Sequence, residues 1–246
     1  MVTEHPPSSA VHRIEDLVFA EVINETGQPE SLRLDIYLPA RPAPAPLRTA
    51  ILFHGGGFKV GNDKRQRYIV MLAQILVEAD FGVVAPDYRV RQEPGPDWTE
   101  AVRDAVADGR LAIDWVRRHA ADYGLDTGRL VLGGGSAGGM LVTNLVHDPA
   151  QPLTPADHVT ALINLWGSPK PNARLFRALN PACPPTFIVH GTADQLVDYQ
   201  LSVQLQQDLA ALGVPCHLLT LPGAPHTPWM HMDQIAQTLL EFLKST

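Results

Sequence analysis

From Ala50 onward, short apolar runs alternate with stretches of helical periodicity, and this alternation restricts the fold more than any other feature. Ala50-Ile51-Leu52-Phe53, Gly82-Val83-Val84-Ala85, Leu130-Val131-Leu132, Ala161-Leu162-Ile163-Asn164-Leu165, Phe187-Ile188-Val189 and His217-Leu218-Leu219 are such runs. Continuous apolarity over so few residues is what a parallel sheet buries on both faces. Between them, Trp98, Val102, Ala105, Gly109, Ala112 and Val116 recur in steps of four and three, the face of a long helix. Leu201, Leu205, Leu209 and Leu212 mark a second helix, and Met232, Ile235, Leu239 and Leu243 a last one. Upstream, Leu17 to Ile23 and Leu32 to Leu38 alternate in the manner of strands, joined around Thr26-Gly27-Gln28-Pro29 as an antiparallel pair. The expectation is an α/β fold. Its sheet is mostly parallel and eight-stranded, with helices on both faces.

The 246 residues suit one α/β domain spanning 1–246, and the proline-rich stretch from Pro39 to Pro46 reads as a connector within it. A formal charge of −7 without a basic run argues against nucleic acid or an anionic membrane as partner. No apolar stretch is long enough to span a bilayer, and the first residues lack a charged and apolar leader pattern. A cytoplasmic protein is the expectation. Cys183 and Cys216 are too few for a disulfide framework and read as two buried thiols near strand starts.

One strand-to-helix junction carries chemistry. Gly134-Gly135-Ser136-Ala137-Gly138 follows the run ending at Leu132 and precedes a helix-like stretch beginning at Ala137. A sharp turn there strains the central residue and needs small neighbours, and it holds the serine oxygen above the sheet. An acyl-transfer site also needs a base, a group that orients it, and donors for an oxyanion. His54-Gly55-Gly56-Gly57-Phe58, just after a strand, has the glycines that let backbone N–H groups approach a ligand.

Ten histidines compete for the role of base. His226 lies in Pro222-Gly223-Ala224-Pro225-His226, directly after the last predicted strand, and is the choice. His217 falls within that strand, His231 begins the final helix, and His190 ends a buried strand, where it should make a structural hydrogen bond. Asp194, in the loop after that strand, is the orienting carboxylate. Asp198 is placed at the next helix start, where an acid serves the helix dipole.

With Leu34-Asp35-Ile36-Tyr37-Leu38-Pro39, Asp87-Tyr88-Arg89 and His190-Gly191-Thr192-Ala193-Asp194, these motifs resemble the esterase/lipase branch of the α/β-hydrolases. The branch includes hormone-sensitive-lipase-like and feruloyl-esterase-like enzymes. The resemblance implies Ser136 as nucleophile, His226 as base and Asp194 as its partner, with Gly56, Gly57 and Ala137 as oxyanion donors. Asp87-Tyr88-Arg89 would be structural. Many relatives carry Glu where this chain has Gly135. The stretch from Gly167 to Pro184, where larger relatives insert a cap, has room for one small helix at Ala173 to Arg177 and implies a minimal cap.

The resulting expectation is a serine carboxylesterase that uses neither metal nor organic cofactor and acts on a small-molecule ester with a short acyl group. An arylformamidase-type amide hydrolase and a non-catalytic binding protein on the same fold are the alternatives. The natural ester and the oligomeric state have no signature in the sequence.

Overall fold

Residues 11–41, 43–95, 98–167 and 179–246 are described by the computed structural model. The apolar runs become strands β3 (Leu47–Phe53), β4 (Phe81–Pro86), β5 (Leu125–Gly135), β6 (Val159–Leu165), β7 (Thr186–Gly191) and β8 (Cys216–Leu221). Ahead of them stand β1 (Val11–Ile23) and β2 (Pro29–Pro39), both longer than their alternating cores. The order is β1-β2-β4-β3-β5-β6-β7-β8. β1 pairs antiparallel with β2, and β2 with β4; every pairing from β4 to β8 is parallel. Every residue of β4 and β7 is buried, as their composition requires, whereas β8 at the edge is only half covered.

Helices cover both faces. On one lie α1 (Arg67–Glu78) and α5 (Met232–Leu243), which pack with the inner residues of β3, β6 and β7 into one apolar cluster. The other face holds α2 (Thr99–His119), α3 (Ala137–His147) and α4 (Tyr199–Ala211) over a second cluster. No helix among the described residues is long and apolar enough to cross a membrane.

Two local expectations change, and one helix had none. Trp98 is not on the core face of α2: it precedes the helix in a left-handed conformation, φ 53°, and packs edge-on against Phe58. On α4 the buried face is Ser202, Leu205 and Leu209, while Leu212 falls past the helix end and is exposed. The α1 helix has its own periodic face, Tyr68-Ile69, Leu72-Ala73 and Leu76-Val77, all buried. The small helix expected at Ala173 to Arg177 lies outside the described residues.

A buried carboxylate ties the antiparallel edge to the rest. Asp35 in β2 accepts from Arg13 Nη2 at 2.6 Å, Arg65 Nε at 2.9 Å and the Asp16 N–H at 2.9 Å. Burial pushes its carboxyl up, but these donors outweigh that and hold it below the usual carboxylate range.

Candidate active site

β5 ends at Gly135 and α3 begins at Ala137, so a single residue, Ser136, makes the turn. Its backbone sits at φ 53°, ψ −117°, a strained conformation for a residue with a side chain. Gly134 and Gly138, two residues to either side, must be glycine for reasons of space. A Cβ on Gly138 would lie 2.1 Å from the carbonyl oxygen of Phe53 at the end of β3. The elbow can therefore approach β3 only when position 138 has no side chain.

The turn lifts the serine hydroxyl toward the loop after β8. His226 Nε2 is 2.9 Å from Ser136 Oγ, and His226 Nδ1 is 2.7 Å from Asp194 Oδ2. The loop after β7 supplies the carboxylate, whose other oxygen accepts from the N–H groups of Leu196 at 2.8 Å and Val197 at 2.9 Å. Burial raises the Asp194 carboxyl, yet the Val197 N–H, His226 and the Leu196 N–H together hold it below its ordinary value. It stays an acceptor for the imidazole. Asp198 stands apart and caps α4, accepting from the Gln200 N–H at 2.9 Å.

His190 makes the hydrogen bond expected of it, but with the carboxylate at the centre of this array. Its Nε2–H is shared between Asp194 Oδ2 at 3.0 Å and the Val197 carbonyl at 3.1 Å. Ser202 Oγ lies 2.6 Å from Nδ1. Because Nε2 faces two acceptors it must carry the proton, and Ser202 donates to Nδ1. Burial pushes the His190 ring below the usual histidine range and favours this neutral form.

The glycine loop after β3 sits against the elbow. Gly56 at φ +106° and Gly57 at φ +62° turn the chain, and a Cβ on Gly56 would collide with Asn62. The loop is braced by side chains: Gln66 Oε1 accepts from the Gly55 N–H at 2.9 Å and Gln66 Nε2 donates to Asn62 Oδ1 at 2.8 Å. Asn62 in turn donates to the Gly56 carbonyl at 3.3 Å. Tyr88 stacks on the buried His54 ring at 4.2 Å and donates to the His54 carbonyl at 2.8 Å. Asp87 bonds Lys64, and Arg89 makes a bidentate pair with Asp108. Tyr88 thus braces the loop, Asp87 and Arg89 tie the segment to Lys64 and to α2, and none of the three is among the described residues lining the pocket.

Gly55, Gly56, Gly57, Ser136, Ala137 and His226 all line one cavity of about 600 Å³. The departure at Gly135 has a physical counterpart here. A Cβ there would meet the Tyr68 ring and hydroxyl at about 3 Å, and Tyr68 Oη accepts from the Gly135 N–H at 3.1 Å while donating to the Phe53 carbonyl at 3.1 Å. Tyr68 fills the space that a side chain at 135 would need. The periodic face of α1 could have flagged it; its bond to Gly135 could not be read from the sequence. Trp98, Trp166 and Trp229 also line the cavity, brought there from three separate segments.

Residues 106–244, more than half of the chain, match the phospholipase/carboxylesterase family. The chain belongs to that family of α/β-hydrolases. Its front part, residues 34–147, also matches the BD-FAE family. Within this esterase/lipase group it is 36% identical over 103 residues to Esterase LipI of Mycobacterium tuberculosis, covering 42% of this chain and 30% of LipI. It is 34% identical over 122 residues to ethyl acetate hydrolase of Pseudomonas putida, covering 49% of this chain and 36% of that protein. The alignments thus span about a third of the length of these two relatives. Among solved structures, butyrate-bound esterase 2 of Thermogutta terrifontis superposes with a TM-score of 0.73 at 26% identity, covering 97% of this chain and 94% of the esterase.

Proposed function

We propose that the protein is a serine carboxylesterase that hydrolyses short-acyl esters through an acyl-enzyme. The observation that carries this reading is the unbroken hydrogen-bonded line from Asp194 through His226 to Ser136 Oγ, ending in a cavity flanked by the Gly56–Gly57 loop and Ala137. Ser136 Oγ attacks the ester carbonyl as His226 Nε2 takes its proton. The N–H groups of Gly56, Gly57 and Ala137 receive the oxyanion that forms. As the carbonyl re-forms, the bond to the alcohol oxygen breaks and His226 returns the proton to the departing alcohol. Water then repeats the sequence on the acyl-enzyme and frees the acid and Ser136. Asp194 keeps the His226 proton on Nδ1 and stabilises the imidazolium.

The short-acyl preference draws on two relatives. The similar esterase from Thermogutta terrifontis has been solved with butyrate and with propionate bound, and the Pseudomonas relative is named for ethyl acetate.

A fluorophosphonate probe should label the wild-type protein and leave Ser136→Ala unlabelled; equal labelling would remove Ser136 from the reaction. Specificity constants for aryl esters from acetyl to dodecanoyl should peak at butyryl or below, and a maximum at octanoyl or beyond would overturn the acyl assignment. An N-formyl-aryl amide in the same assay should turn over more slowly than the aryl acetate.

A further inference from the structure

Twelve of the thirteen arginines among the described residues donate a hydrogen bond or pair with a carboxylate. Arg67 is the exception. Its guanidinium lies over the Trp229 ring, 5.1 Å from the centroid, and has no acceptor among the described residues. It also lines the cavity that contains Ser136 and His226. Apart from these residues and the glycine loop, the walls are largely apolar and aromatic: Tyr68, Trp98, Met140, Trp166, Leu196 and Trp229. No carboxylate is among the described lining residues, and Asp194 is sealed behind His226.

Stacking on an aromatic face occupies the plane of a guanidinium and leaves its edge N–H groups free to donate. Those edges match a carboxylate in charge-assisted hydrogen bonds, and because Arg67 and Trp229 are both exposed they can be reached by a ligand at the cavity. A neutral ester has no group that would use them. We infer that Arg67, held over Trp229, recognises a carboxylate on the substrate, so that the preferred esters are anionic, with an apolar spacer between the carboxylate and the scissile bond. This deepens the carboxylesterase reading and rests on it. The carboxylate can belong to the acyl part, as in a half-ester of a dicarboxylic acid, or to the alcohol part.

Two matched pairs separate these sources. For the acyl side, para-nitrophenyl hydrogen glutarate is compared with para-nitrophenyl valerate; for the alcohol side, para-carboxymethylphenyl acetate is compared with para-ethylphenyl acetate. The readout is the ratio of specificity constants, anionic over neutral, in wild type, Arg67→Gln and Arg67→Lys. In one pair that ratio should fall about tenfold or more in Arg67→Gln, as expected for losing a hydrogen bond to a charged group. Arg67→Lys should retain part of it, and added salt should lower it in the wild type far more than in Arg67→Gln. Unchanged ratios in both pairs would overturn the inference. Calorimetric binding of the same esters to Ser136→Ala and to Ser136→Ala/Arg67→Gln reads recognition without turnover. If neither pair is hydrolysed but the anionic ester binds more tightly through Arg67, the esterase reading fails and the carboxylate site stands. Equal affinities for the two Ser136→Ala proteins would remove the site whatever the turnover.

Discussion

His190 and His226 share one oxygen of Asp194: Oδ2 lies 3.0 Å from His190 Nε2 and 2.7 Å from His226 Nδ1. The second imidazole, anchored to α4 through Ser202, sets where the carboxylate points. His190→Leu removes that donor. A hydrogen bond to a charged group contributes about 1.5–3 kcal/mol, so kcat should fall roughly tenfold or more while KM changes little. His190→Gln, which keeps a donor, should recover part of the loss. Equal kcat in the Leu variant and the wild type, with both folded, would reduce His190 to a packing role.

The two nearby acids have different work. Asp194→Asn should lower kcat by about 10⁴-fold, because an amide holds the imidazole in the wrong tautomer. Asp198→Asn should leave kcat within a few fold, since Asn caps a helix nearly as well as Asp. Kinetics on the two variants, measured side by side, check the assignment.

At Gly57 conformation and space can be separated. A Cβ there meets nothing within 4 Å, yet φ is +62°. Gly57→Val should turn the loop away because a β-branched residue resists that conformation. Displacing one oxyanion donor costs about a hundredfold, and the loss should fall on kcat, because the oxyanion forms only near the transition state. A change confined to KM would assign the loop to substrate binding instead.

Tyr68→Phe deletes the hydroxyl that bridges the Phe53 carbonyl and the Gly135 N–H. It leaves the buried Gly135 donor unpaired, at a cost of about 1–3 kcal/mol, and loosens the floor beneath Ser136. The midpoint of denaturant unfolding should drop with the slope unchanged. An unchanged midpoint would show that the bridge contributes nothing to stability.

Asp35 should make stability depend on pH in the acid range. Its carboxyl is held below the usual range when folded, so its contribution is present above the unfolded value, about 3.9, and is lost as pH falls through the folded one. Asp35→Asn should be less stable at neutral pH, toward the low end of the roughly 3–5 kcal/mol for a broken buried pair, because Arg13 and Arg65 reach solvent. The difference from wild type should shrink as pH drops below about 4. Parallel unfolding curves at every pH would rule out this carboxylate as the cause.

The sequence by itself determined the succession of strands along the chain, the pairing of the front hairpin, and the loops that carry Ser136, His226, Asp194 and the glycine turn; the order of the strands in the sheet came from the fold. Each of the first three is written locally, in periodicity, in a residue beside a strand end, or in glycines at a bend. Tertiary structure alone decided what depends on distant segments meeting. Tyr68 fills the space beside Gly135 across 67 positions of chain. His190 reaches the oxygen that also holds His226, 36 positions further on. Trp98 fits the helical period of α2 but is turned out of the helix and into the cavity wall, because packing against Phe58 overrides a periodic pattern at a helix end. Arg67 looks like any surface cation in the sequence; only the fold sets its guanidinium over Trp229 at the cavity wall, with no acceptor among the described residues.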